Sequence, residues 1–153
     1  MAPGPARAQA PETGAGETVL HASCVAVEGR AALIRGASGS GKSGLALQLM
    51  AHGAALVADD RTRLWREGGK VMACAPDTIR GRIEAREMGI LRAPATGPAA
   101  VALIIDMDRA ETERLPPRRE TQLLGLTLPL VRKSGLPHFP AAILTYLKGR
   151  RDA

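Results

Sequence analysis

"IRGASGSGKSGLALQLM", residues 34–50, decides how the rest of the chain is read. Glycine and serine crowd its first half, a lysine follows, and an apolar helical pattern comes next. Gly36-Ala37-Ser38-Gly39-Ser40-Gly41-Lys42-Ser43 satisfies GxxxxGK[ST]. The motif lies between an expected strand, residues 31–35, and an expected helix, residues 42–52, which is the setting that gives it meaning. The glycines let the backbone turn tightly and aim its N–H groups at an anion. The helix start adds its positive end. Lys42 then reaches the β- and γ-phosphates of a nucleoside triphosphate, and the Ser43 hydroxyl ligates a bridging Mg²⁺.

Working outward, residues 19–27 read as a strand, and Glu28-Gly29-Arg30 as a hairpin turn into the strand before the loop. Residues 1–16, rich in Ala, Pro and Gly, read as a disordered arm ahead of one domain, residues 17–153. Beyond the loop, Leu45, Leu47, Leu49 and Met50 give the helix its apolar face, and Gly53 ends it. Residues 54–58 form a short apolar strand closing on Asp59-Asp60. Glu67-Gly68-Gly69 marks a hairpin between residues 63–66 and 70–73. Asp77, after Pro76, is placed to cap a short helix ending near residue 82. Residues 83–91 are mixed in character. Residues 100–105 make the purest buried strand, closing on Asp106 and Asp108. Pro140 suits the first turn of a terminal helix through residue 148. Strands alternating with helices, interrupted by hairpins, indicate an α/β fold: a P-loop nucleotide-binding domain around a mixed β-sheet.

The totals narrow the function. A chain of 153 residues, 45% apolar, buries one ordinary core. Trp65, Phe139 and Tyr146 are its only aromatic residues, so stacking on nucleic-acid bases has little support. The net charge of +6 is dispersed and forms no long basic tail. Cys24 and Cys74 lack metal-binding spacing and read as buried small hydrophobes. No apolar run approaches the roughly 18 residues of a membrane span, and no secretory signal is present. The chain therefore reads as cytoplasmic, with neither nucleic acid nor membrane as a partner. It contains no Asn, which removes the base-reading motif of a switch GTPase. Two strand ends compete for the acid that holds Mg²⁺ or its water: Asp59-Asp60 and Asp106/Asp108. Pattern does not separate them, and an acid there also serves simply to start a turn.

Taken in order, "LHAS" with His21, the loop "GASGSGKS", "LVADD" at residues 56–60 and "IEAREMGI" at residues 83–90 resemble the catalytic domain of the HPr kinase/phosphorylase family. The likeness runs over about residues 18–105, and the chain most resembles the short forms found in α-proteobacteria. It implies an ATP- and Mg²⁺-dependent protein serine kinase acting on the phosphocarrier HPr or a paralogue. In that reading the backbone of Gly36, Ala37, Ser38, Gly39, Ser40, Gly41, Lys42 and Ser43 binds ATP, and Ser43 and Glu84 hold Mg²⁺. Lys42 also belongs to the catalytic set. Asp60 takes the proton of the attacking serine, Asp59 shapes the metal and water network, and His21 sits near the transferring phosphate. The chain departs from the family at Glu87, which stands where the Glu-x-Arg-Gly-x-Gly-Ile signature has glycine. Its "LPLVRKSGLPHFPAAILTYLKGRR" matches the family's end only loosely. Arg132 and Lys133 are alternatives for a positive charge at the transfer site. The family's hexamers make a homo-oligomer an open expectation, as is retention of the phosphorylase reaction. Two other readings stand beside this one. One is a small-molecule kinase with Arg80, Arg82, Arg86 and Arg92 as a phosphate lid. The other is a nucleotide-sensing regulator without transfer activity.

Overall fold

A computed structural model describes residues 16–152. The disordered arm expected over residues 1–16 lies, apart from Gly16, outside the described residues. β1 (Glu17–Leu20) and β2 (Ala22–Val27) are followed by β3 (Arg30–Arg35) and the glycine loop. α1 (Lys42–Ala51), β4 (Ala55–Ala58) and the hairpin of β5 (Thr62–Glu67) and β6 (Lys70–Cys74) come next. A second hairpin joins β7 (Arg82–Ala85) to β8 (Gly89–Arg92). The long β9 (Ala99–Ala110), the hairpin of β10 (Arg119–Leu123) and β11 (Leu126–Lys133), and α2 (Phe139–Lys148) complete the chain.

The main sheet runs β1-β5-β6-β9-β3-β2-β4, with β11 and then β10 branching from β9. β9 is parallel to β3 and β11 is parallel to β9. The other strand pairs are antiparallel, so the sheet is mixed as the hairpins required. β4 is antiparallel to β2 and β2 to β3, so β4 points the same way as β3. The C-terminal ends of β3, β4 and β9 thus gather at one edge. This is where ligands bind in open α/β sheets.

Side-chain alternation splits the core. Cys24, Ala26, Ala31 and Leu33 face one cluster with Leu64, Val71, Val101 and Ile104. Val25, Ala32 and Ile34 face the other, against Leu45 and Leu49 of α1 and Ile143 and Leu147 of α2. A helix of ten residues is marginal in isolation, so tertiary burial holds α1 in place. Each fully buried Leu or Ile there contributes about 1.5–3 kcal/mol.

Three features depart from the sequence reading. The strand expected over residues 19–27 breaks at His21, because β1 pairs with β5 while β2 pairs with β3 and β4. Pro76 rather than Asp77 takes the N-cap position, and a 3₁₀ turn forms over Asp77–Ile79. The β10–β11 hairpin was not foreseen. Among the described residues, no helix is long and apolar enough to cross a membrane.

Both cysteines are buried, as expected. Burial drives the Cys24 thiol far above its ordinary value and raises that of Cys74. Reaction follows the thiolate and its exposure. Both thiols should therefore resist a colorimetric thiol reagent in the native protein at neutral pH and react in denaturant. Prompt titration of Cys24 without denaturant would contradict this packing.

Candidate active site

The loop begins where β3 ends in the middle of the sheet. Gly36, Gly39 and Gly41 have φ of 153°, 85° and 103°, so side chains would strain the turn at these points. At Gly36 there is also no room: a Cβ would meet the Ser40 hydroxyl at 2.7 Å and Met107 at 3.0 Å. Lys42 is buried at the start of α1, and its Nζ donates to the carbonyls of Gly36 at 2.9 Å and Ala37 at 3.1 Å. Among the described residues, the buried Ser40 hydroxyl has no hydrogen-bond partner. The loop is thus a tight turn with an ammonium folded against its carbonyls.

The two acids after β4 have different surroundings. Asp59 is buried, and its Oδ1 accepts from the hydroxyls of Ser43 at 2.6 Å and Ser23 at 2.8 Å. Its Oδ2 accepts from the backbone N–H of Glu84 at 3.0 Å. Asp59 therefore ties the phosphate loop, β2 and β7 together. Asp60 has φ of 68°, a left-handed conformation that is uncommon outside glycine. That turn carries its side chain outward, where Oδ1 lies 2.5 Å from His21 Nε2.

The break at His21 explains this meeting. Leu20 pairs with Thr62 and Cys24 with Ala58, so the β4–β5 connection crosses the β1–β2 kink. The Thr62 hydroxyl donates to the Ala22 carbonyl at 2.8 Å, and the Asp60 N–H donates to the Ser23 hydroxyl at 3.2 Å. These bonds pin the crossing and leave His21 and Asp60 facing each other at the surface.

The β7–β8 hairpin supplies the remaining wall. Ile83 and Ala85 point into the core. Glu84 and Arg86, two residues apart, share the opposite face and line a cleft of about 300 Å³ with Ser38, Lys42, Ser43 and Asp60. Of the arginines read as a lid, only Arg86 lines this cleft. Glu87 sits in the hairpin turn with φ of 68°. A left-handed residue with a Cβ costs about 1–2 kcal/mol, and glycine avoids this at a conformational-entropy cost of about 0.5–1 kcal/mol. That accounts for glycine in the signature. Glu87→Gly should raise stability by about 0.5–1 kcal/mol in urea unfolding. A lower midpoint would contradict the strain argument.

The rival acids also reach the loop, since β9 is parallel to β3 with Arg35 opposite Asp106. Asp108 Oδ1 accepts from the Ala37 N–H at 2.9 Å, and Asp106 Oδ1 accepts from the Asp108 N–H at 2.9 Å. Both carboxylates are engaged with backbone. Lys133, left open against Arg132 in the sequence, donates through Nζ to the Ser40 carbonyl at 3.0 Å. Among the described residues, no set of three or more His, Cys, Asp or Glu side chains forms a metal cage. Ser43, Asp59 and Glu84 instead offer hard oxygen atoms of the kind that bind Mg²⁺ together with nucleotide phosphates.

Fold and site together define a P-loop α/β domain of the kinase type. Residues 12–128 match the HPr Serine kinase C-terminal domain, and the chain belongs to that family. Relatives include an HPr kinase/phosphorylase of Alkaliphilus metalliredigens, 41% identical over 58% of this chain and 29% of its own. Another, of Chlorobium phaeobacteroides, is 32% identical over 83% of this chain and 43% of its own. The chain thus spans less than half the length of these relatives. Among solved structures, the Hpr(Ser) kinase/phosphatase from Coxiella burnetii superposes with a TM-score of 0.71. It is 25% identical, over 86% of this chain and 94% of that one.

Proposed function

We propose that this domain is an ATP- and Mg²⁺-dependent kinase that phosphorylates a serine of HPr or a paralogous phosphocarrier protein. One observation carries the reading: the two acids after β4 are divided into a buried one bonded to Ser43 and an exposed one facing the cleft. The buried Asp59 has both oxygens occupied by fixed donors, so it orients rather than reacts. Among the described residues, Asp60 has only His21 as a side-chain partner, and it lies on the cleft with Lys42 and Glu84.

The loop N–H groups and Lys42 hold the phosphates of ATP. Ser43 and Glu84 would hold Mg²⁺, with Asp59 fixing the Ser43 hydroxyl. A bound Mg²⁺ would supply positive charge against the phosphates of the nucleotide. The acceptor serine enters beside Asp60. Its oxygen forms a bond to the γ-phosphorus as the bond to the β–γ bridging oxygen breaks. Asp60 accepts the serine proton, and His21 holds the carboxylate in place. Incubation with γ-labelled ATP and the carrier tests the proposal. Label should appear on the carrier. Label on a metabolite would indicate a small-molecule kinase, and nucleotide binding without transfer would indicate a regulator.

A further inference from the structure

We propose that the cavity between the β10–β11 hairpin and α2 is a second ligand site, taking a small organic anion that carries one carboxylate or phosphate group on a compact apolar body. The cavity holds about 320 Å³, a size found among small-molecule sites, and shares no lining residue with the nucleotide cleft. The inference does not depend on the kinase reading. Topology leaves the space open. α2 packs over β2 and β3, with Ile143 and Leu147 in the core layer between them. β11 lies outside that cover, beyond β9, and among the described residues no third helix covers it. Leu103 of β9 with Pro129 and Val131 of β11 forms the floor. Leu103 faces the same layer as α2, and register sets Val131 opposite Ile105 in that layer. The wall is Ala142, Thr145 and Tyr146, one flank of α2 at helical spacing. Ala142 and Thr145 are short, so this flank does not fill the space over β11.

The open rim is cationic. Among the described residues, Arg118, Arg119, Arg150 and Arg151 line it, and Glu120 is the one acid that lines it with them. Arg119 is matched by Glu111 at 3.1 Å and Glu113 at 3.7 Å. Arg118 donates to the Asp152 carbonyl at 3.1 Å, and Arg151 donates to the Pro116 carbonyl. These bonds tie the segment before β10 to the segment after α2 and hold the rim together. Among the described residues, Arg118 and Arg150 are in no ion pair. The planar fork of a guanidinium matches the oxygens of a carboxylate or phosphate. Arg30 fixes the end of the wall. Its Nη1 donates to the carbonyls of Leu147 and Gly149 at 2.6 Å each, and its guanidinium stands 5.8 Å from the centre of the Tyr146 ring. The cavity is therefore formed before any ligand arrives. An apolar floor with cations at one rim complements an amphipathic anion. A wholly polar anion leaves the floor unused, and an uncharged apolar molecule covers the arginines without giving them a partner.

The test titrates ¹⁵N-labelled protein with hexanoate and, separately, with hexyl phosphate, and follows the amide signals of Leu103, Val131, Ala142 and Tyr146 by NMR. Saturable shifts at these amides are expected with at least one of the two, and the tighter binder tells a carboxylate ligand from a phosphate one. Occupation of the phosphate loop registers separately, at Gly39 and Gly41. Hexanol supplies the apolar body alone and inorganic phosphate the anion alone, and each should bind the cavity at least about 10-fold more weakly, the least expected for losing a charged hydrogen bond. Arg150→Gln, at an exposed position, should weaken the hexyl anion about 10-fold. Ala142→Phe, also exposed, should fill the cavity and remove the shifts, with circular dichroism confirming the fold of both variants. Absence of saturable shifts with both hexyl anions overturns the proposal, as does equal binding of hexanol or unchanged affinity in Arg150→Gln.

Discussion

Lys42→Met should abolish measurable phosphoryl transfer and weaken ATP binding, with the fold kept. Methionine retains most of the buried stem, so the substitution removes the charge with little loss of packing. In the structure Nζ is satisfied by the Gly36 and Ala37 carbonyls. Both bonds lie within one short turn, and their loss costs the loop little because water reaches the cleft. The effect falls on the bound state. A hydrogen bond to a charged group contributes about 1.5–3 kcal/mol, or roughly 10- to 150-fold in affinity. Charge that develops in the transition state adds about 10²–10³ in rate. Calorimetric titration with ATP and a single-turnover assay measure the two effects. Normal affinity and rate in a folded variant would remove the loop from the mechanism.

If Asp60 is the general base as proposed, Asp60→Asn should lower the transfer rate by about 10²–10⁴, the usual contribution of such a base, while ATP still binds. Asparagine keeps the shape and an acceptor oxygen but takes no proton. Asp106→Asn is the control. Asp106 Oδ1 accepts from a backbone N–H at 2.9 Å, and an amide oxygen accepts that bond equally well. Its cost should be far smaller. Both residues lie at the loop edge of the sheet, so position does not separate them. Exposure toward the cleft and freedom from backbone bonds do. If Asp106→Asn is the more damaged in single-turnover transfer, the base has been placed on the wrong strand.

Much of this fold was legible because local chemistry and global topology agree. The glycine loop between β3 and α1, the Gly68-Gly69 turn and the stop at Gly53 are backbone requirements written in residue type. What was not legible depended on partners distant in sequence. Residues 19–27 read as one strand, and only the separate pairing of β1 with β5 and β2 with β4 reveals the break at His21. The β10–β11 hairpin turns at Leu124 and Gly125, with φ of 50° and 81°. Such a turn is usually announced by Asn-Gly or Asp-Gly, and leucine hides it. Alternation in "TLPLV" was the remaining signal.

The site divides in the same way. The motif spacing indicated Lys42 and Ser43 directly, and the likeness to the family pointed to Asp59, Asp60, His21 and Glu84. Sequence alone could not choose between the acids of β4 and β9, because both strands run parallel to β3 and end at the loop. Nor could it say which of Arg132 and Lys133 touches the loop, where Lys133 Nζ donates to the Ser40 carbonyl. A register break between them decides that, and it depends on what β9 does beside them.

Every proposed residue role depends on transfer of the γ-phosphate from ATP to a carrier serine by this domain. Mass spectrometric location of the phosphate after incubation with ATP, Mg²⁺ and the purified carrier tests it most directly. One phosphate is expected, on one serine, absent when that serine is replaced by alanine and strongly reduced with Asp60→Asn. An unmodified carrier in the presence of bound ATP, or phosphate on any other side chain, would contradict it.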